Sequence, residues 1–118
     1  MRDFRNLEIW KRSHQAVLQI YTATKDFPAT EKFGLTNQIR RAAVSIPSNF
    51  AEGCGHLSKK EFRRYLQIAA ASTSELQYQL ILARDLGYLT EDRFVAIAKI
   101  VEEVKKMIFV FNKRTANG

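Results

Sequence analysis

SKKEFRRYLQIAAASTSELQYQLILARDLG, residues 58–87, carries the most regular apolar periodicity in the chain. Phe62, Leu66, Ala69, Thr73, Leu76, Leu80 and Ala83 follow one another at steps of four and three. That spacing lines one stripe of an α-helix, and sustained this long it forms a seam by which helices pack side by side. Ser58 and Glu61 stand three apart at the start, the spacing of a capping box. Its serine oxygen accepts from the Glu61 amide, and the glutamate returns to the serine amide. Gly87 supplies the left-handed residue that closes a helix. The segment predicts one helix of about 25 residues, roughly 38 Å long.

Beyond it, Thr90 fits a cap, Glu91 and Asp92 suit the positive end of a helix dipole, and Phe94, Ile97, Val101, Val104, Ile108 and Phe111 form a further seam that Lys113 and Arg114 close. Before it, a helix is predicted to begin near Glu31 to Phe33 and to end at Gly53, capped by Thr30, with Leu35, Ile39, Ala42 or Ala43, Ile46 and Phe50 as its apolar face. Pro47 falls inside that pattern and predicts a kink rather than a stop, since its ring crowds the carbonyl of Ala43 and one ladder bond is lost. The first helix is read from about Leu7 to Lys25 on Leu7, Trp10, His14, Val17, Tyr21 and Thr24, and Phe27-Pro28 ends it. Four amphipathic helices with short connections predict an all-α, antiparallel up-down-up-down four-helix bundle, a single domain over residues 1–118.

Composition agrees. The chain has 118 residues, 46% of them hydrophobic, with two prolines and five glycines, which disfavours barrels and sandwiches. No apolar run approaches a membrane span and the start has no signal-peptide core, so a cytoplasmic protein is expected. The single cysteine, Cys54, allows no internal disulfide. Net charge is +7, and residues 1–64 hold 12 Lys+Arg against 6 Asp+Glu while residues 65–118 hold 7 against 6. An N-terminal excess of this kind favours a polyanionic partner without specifying it.

Gln38-Ile-Arg-Arg-Ala-Ala-Val-Ser-Ile-Pro-Ser-Asn-Phe-Ala-Glu-Gly53 resembles the signature of the four-helix bundle proteins encoded in intervening sequences of bacterial 23S ribosomal RNA genes. Leu7, Trp10, Phe27-Pro28, Gly34-Leu35, Ser58, Glu61-Phe62, Ile68-Ala69, Ser72, Glu75-Leu76 and Leu86-Gly87-Tyr88 extend the likeness over nearly the whole chain. Phe50 departs from the smaller aliphatic residue common there. That family is similar to the accessory protein of diversity-generating retroelements, a pentameric barrel of bundles that engages a reverse transcriptase and nucleic acid. The resemblance implies a homopentameric ring here. It names no reaction.

Three sets of residues are candidates for function. Gln38, Arg41, Ser45, Asn49 and Glu52 recur at helical spacing as a polar stripe. The stripe reads either as a binding groove or as a structural polar network completed by Ser72 and Glu75 of the next helix. Lys59, Lys60, Arg63 and Arg64 crowd the first turn of the third helix, where the dipole disfavours cations. With Arg40 and Arg41, and with Arg2, Arg5, Lys11 and Arg12, they are candidates for phosphate contact with RNA or DNA. Phe62 and Tyr65 beside them are read as packed rather than stacked on bases. Ile9, Ala16, Ile20, Tyr65, Ile68, Ile100 and Met107 lie outside the main seams. They fit a deep core or a second seam, for which Ile20, Ile68, Ile100 and Met107 are the candidate oligomer interface.

Enzymatic machinery is not expected. Gly53-Cys54-Gly55-His56 lacks the full spacing and ending of a phosphate loop, so it reads as a turn. Glu52, Cys54 and His56 form one short cluster without the second half a metal site needs, and the paired acids Glu91-Asp92 and Glu102-Glu103 diverge around a helix. His14 reads as a core-edge residue. No cofactor or metal is implied. Two functions remain open: a non-enzymatic oligomeric binding module whose basic surface takes RNA or DNA, with room for a second protein, and a structural or protein-interaction scaffold with no nucleic-acid affinity.

Overall fold

The structure, a computed structural model, describes residues 3–117. It contains four long helices, α1 (Glu8–Thr24), α2 (Leu35–Cys54), α3 (Lys59–Asp85) and α4 (Glu91–Asn117), with single 3-10 turns at Phe4–Asn6 and Ala29–Glu31. No strand occurs among the described residues. Consecutive helices are antiparallel neighbours and α4 returns to pack on α1, which closes a square bundle 45 Å long and 23 × 20 Å across. The short connections force this arrangement, because a helix leaving a tight turn has only its predecessor's apolar stripe to cover.

The α3 seam lies in the core as the sequence reads it, from Phe62 through Leu66, Leu76 and Leu80 to Ala83, and it meets Leu35, Ile39, Ile46 and Phe50 of α2. Each such large side chain contributes about 1.5–3 kcal/mol on leaving water. Both α3 ends are built from the expected residues. The Ser58 hydroxyl oxygen accepts from the Glu61 amide at 3.0 Å. Glu61's carboxylate turns to the Arg64 guanidinium at 3.2 Å. At the far end Gly87, at φ +81°, lets the Tyr88 amide reach the Ala83 carbonyl and its own amide reach Arg84, each at 2.9 Å.

Three expectations are corrected. The α1 face is displaced toward the preceding positions: Val17 and Thr24 are buried as the sequence reads them, but the helical residues one place before the expected stripe are buried as well. Ile9, Ser13, Ala16, Ile20 and Ala23 point inward, while His14 and Tyr21 are exposed and Trp10 sits half-buried, stacked on His14 at 5.0 Å. Amphipathic rings settle at the margin of a core, and the small residues let α1 approach closely. The α2 helix begins at Leu35, just beyond the expected Glu31 to Phe33, and its cap is the Glu31 carboxylate, which accepts from the Leu35 amide at 3.1 Å, rather than Thr30. Glu31 also accepts from the Tyr88 hydroxyl at 2.9 Å, so one carboxylate ties the α1–α2 connection to the α3–α4 turn. Finally, α2 continues through Pro47 as expected but ends at Cys54, so that Gly53 lies within its last turn rather than terminating it.

Ile20 is fully buried and Ile100 is 7% exposed, both within the chain's own core. These two apolar positions deepen the single bundle and are not available to a second copy.

Candidate nucleic-acid interface

Antiparallel topology brings the start of α1, the end of α2, the start of α3 and the end of α4 to one end of the bundle. At that end α3 presents Lys59, Lys60 and Arg64 as exposed residues and Arg63 as a half-buried one. Arg63 Nε donates to Asn112 Oδ1 at 3.3 Å, and Phe62 rests on Phe111 at 5.5 Å between ring centres. The first turns of α3 are thereby fastened to the last turns of α4, where Lys113 and Arg114 are exposed. Arg114 and Lys106 in turn line a groove of about 440 Å³ with Asn6 to Ile9 of the α1 start, which carries Arg5 and Lys11. The result is a cationic band around the end.

The opposite end differs. Arg93 pairs with Asp26 and Arg84 with Asp85, both at 3.1 Å, and Glu31, Glu91 and Asp92 outnumber the remaining cations there, Lys25 and Lys32. Part of the N-terminal excess seen in the sequence therefore lies at the cationic end, where the last turns of α4 add to it. Sequence reasoning missed that Lys106, Lys113 and Arg114 belong to it. Counting helix directions in an up-down bundle would have found them.

Several expected members are elsewhere. Arg2 lies outside the described residues. Arg12 is held by Glu103 across α1 and α4. Arg40 donates to Thr24 Oγ1 at 2.9 Å and lies over the Tyr21 ring at 4.5 Å, so it fastens α2 to α1. Arg41 lines a different groove, between α2 and α3, with Gln38, Ser45 and Glu75. Ser45 opposes Ser72 on α3, so Arg41 lies near Leu76, on the order of 20 Å along the bundle from Lys60 at 1.5 Å per residue. Arg40 and Arg41 do not join the Lys59 to Arg64 cluster.

Of the polar stripe, the structure joins three members. The Ser45 and Ser72 hydroxyls are 2.8 Å apart, and Asn49 Nδ2 donates to the Ser45 carbonyl at 2.7 Å and to its hydroxyl at 3.0 Å. Gln38, Arg41, Glu52 and Glu75 are exposed. Of the apolar interface candidates, Ile68 is 38% exposed beside this stripe, and Met107 is half-buried in the groove between α1 and α4.

The tip between α2 and α3 has the most distinctive chemistry. His56 is exposed and stacks on Tyr65, with ring centres 5.0 Å apart and planes 21° from parallel. The Arg64 guanidinium lies over the same ring at 4.8 Å and donates to its hydroxyl at 3.2 Å. The Glu61 hydrogen bond raises the Arg64 pKa above its ordinary value, so the charge is permanent. Leu57, at 85% exposure, stands next to His56. Cys54 is buried beneath the start of α3, whereas Glu52 and His56 are at the surface. No cluster of three metal-ligating side chains occurs among the described residues, and none of their helices is long and apolar enough to cross a membrane.

A compact antiparallel four-helix bundle with one cationic end defines the class of protein. The chain belongs to the 23S rRNA-intervening sequence protein family, whose sequence model matches residues 5–110. Its fold is similar to that of a protein of unknown function from the S23 ribosomal protein family of Bacteroides thetaiotaomicron, with a TM-score of 0.80 at 24% identity over 89% of this chain and 98% of that one. No curated protein matches.

Proposed function

We propose that the protein is a non-enzymatic, cytoplasmic binding module that engages nucleic acid through the basic end of its bundle and works as a homopentamer. The observation that carries the reading is the gathering of cations from α1, α3 and α4 at one end, where they outnumber the acids even though Arg5, Lys11 and Arg64 are paired with Asp3, Glu8 and Glu61. Cations in the first turn of a helix oppose its dipole, so Lys60 does not serve α3 itself. The homopentamer follows from the family resemblance. Apolar side chains that the bundle leaves outside its core, Leu18, Val95, Phe109 and Val110, offer surface for contact between copies.

The test is a titration of labelled structured RNA, single-stranded RNA and duplex DNA at several salt concentrations, on the wild type and on a variant with Lys59, Lys60, Arg63 and Arg64 changed to Gln. For every phosphate the variant no longer neutralises, the slope of log K against log salt should become shallower by about 0.9 on duplex DNA and about 0.7 on a single strand. Binding without salt dependence at physiological ionic strength, or none at all, would refute the nucleic-acid reading and leave the scaffold. Light scattering should give the mass of five 13.6 kDa chains, about 68 kDa. A monomeric mass refutes the ring.

A further inference from the structure

We infer that the basic end takes single-stranded rather than duplex nucleic acid, with one unpaired base stacking on the open face of His56 and the flanking phosphates held by Lys60 and Arg64. This rests on the nucleic-acid reading above and adds the class of strand. Four features carry it. The His56 ring is exposed yet fixed in orientation, because one of its faces lies on Tyr65 at 5.0 Å and 21°. A flat ring held in place, with its other face in water, is a stacking platform that any base can use. Arg64 packs on the same Tyr65, which is half-buried, so His56 is the more exposed of the two rings. Leu57, 85% exposed on the same tip, adds an apolar contact that water penalises and a base edge can cover.

The cations suit such a strand. Lys60 is exposed in the first turn of α3, four residues after His56 in the chain. Arg64 spends one N–H on Glu61 and another on Tyr65, and so retains donors for a phosphate. Duplex readout, by contrast, needs an element that enters a groove about 12 Å wide. Here α3 begins flush with the bundle end, flanked by α2 and α4, whose neighbouring turns pack against it. A splayed strand lying over the tip meets both base-stacking and phosphate-binding groups, whereas a stacked duplex presents only phosphates.

The experiment uses the full chain and three probes of equal phosphate count: an unstructured pyrimidine oligonucleotide, the same strand with abasic sites, and a duplex. Wild type should prefer the base-bearing strand. His56→Ala should weaken it about 5- to 150-fold, the range for loss of one stacked base, and leave the abasic strand unchanged. His56→Phe, which keeps the flat ring, should restore most of the loss. Lys60→Gln should weaken all three probes alike. Salt-sensitive binding in which the duplex equals or exceeds the single strand, or in which His56→Ala changes nothing, overturns the stacking inference while the basic-end reading stands. Absence of binding to every probe overturns both.

Discussion

Gly53→Ala tests whether the last turn of α2 and the first turns of α3 are in as close contact as the packing requires. A Cβ at this position would stand 3.1 Å from Tyr65 Cβ and 3.2 Å from Phe62 Cδ1. Ordinary carbon contacts are about 3.5–4.0 Å. Neither neighbour yields easily. Tyr65 Cβ is fixed to the α3 backbone, and Phe62, 6% exposed, is backed by Phe111. Overpacking of this kind costs about 1–3 kcal/mol. Alanine's advantage over glycine in a helix offsets at most about 1 kcal/mol, and less in a final turn. The net expectation is a loss of about 1 kcal/mol, a fall in Tm of about 3–6 °C for a domain of this size. Circular dichroism melts should show it beside Gly55→Ala, where an added Cβ meets only the Glu52 carbonyl at 3.3 Å and the backbone is already helical at φ −77°. Gly55→Ala is expected within about 0.5 kcal/mol of wild type. A Gly53→Ala melt at or above wild type would show that the two helices leave room for a methyl group and that the overpacking cost does not arise.

At Gly87 the strain is of another kind. Nothing lies within 4 Å of an added Cβ, but φ is +81°, so Gly87→Ala should cost about 1–2 kcal/mol in a urea melt and Gly87→Asn distinctly less. Glu52→Ala should leave the melting curve unchanged, because the side chain is exposed; a loss above about 1 kcal/mol would restore it to a structural network. Tyr88 donates to Glu31, and that bond raises the Tyr88 pKa. A raised folded-state pKa means that the bond's stability is fully present below the ordinary tyrosine range and is lost as pH climbs through the raised value. Tyr88→Phe should therefore lower stability below the ordinary tyrosine range and flatten the alkaline end of the stability–pH curve, where the wild type loses the bond in any case.

Wherever large aliphatic residues set the period, the sequence gives the right face: Leu66, Leu76 and Leu80 of α3, Ile39, Ile46 and Phe50 of α2, and Val101, Val104 and Ile108 of α4 are all buried. The α1 helix misleads because its inward face is built from Ser13, Ala16 and Ala23, whose weak hydrophobic signal is outweighed by Trp10 and Tyr21 at the margin. Caps within three residues of their helix are legible, as Ser58 and Thr90 show, with the Thr90 hydroxyl accepting from the Arg93 amide at 3.2 Å. Glu31 escapes because it acts across a 3-10 turn and a glycine. At the candidate site the cluster of α3 is visible in the sequence as adjacent letters. Its α4 and α1 complement is not, because only antiparallel packing brings residue 114 beside residue 7. The same topology removes Arg41, which is fewer than 20 positions from Lys60 in sequence and remote from it along the bundle.

The two contributors to the cationic end differ in what they do for the fold, and that difference is measurable. Arg114 lies in the last turn of α4, where the helix dipole welcomes a cation, while Lys60 lies in the first turn of α3, where the dipole opposes one. Each effect is about 0.3–1 kcal/mol at low ionic strength and shrinks with salt. Lys60→Gln should accordingly raise stability by a few tenths of a kcal/mol and weaken nucleic-acid binding, whereas Arg114→Gln should lower both. The opposite signs matter more than the sizes, since a charge that works against its own helix makes sense only if something outside the helix answers it. Urea melts at low and high salt decide the matter. If Lys60→Gln and Arg114→Gln shift stability in the same direction, the dipole does not distinguish them, and the position of Lys60 carries no information about a partner.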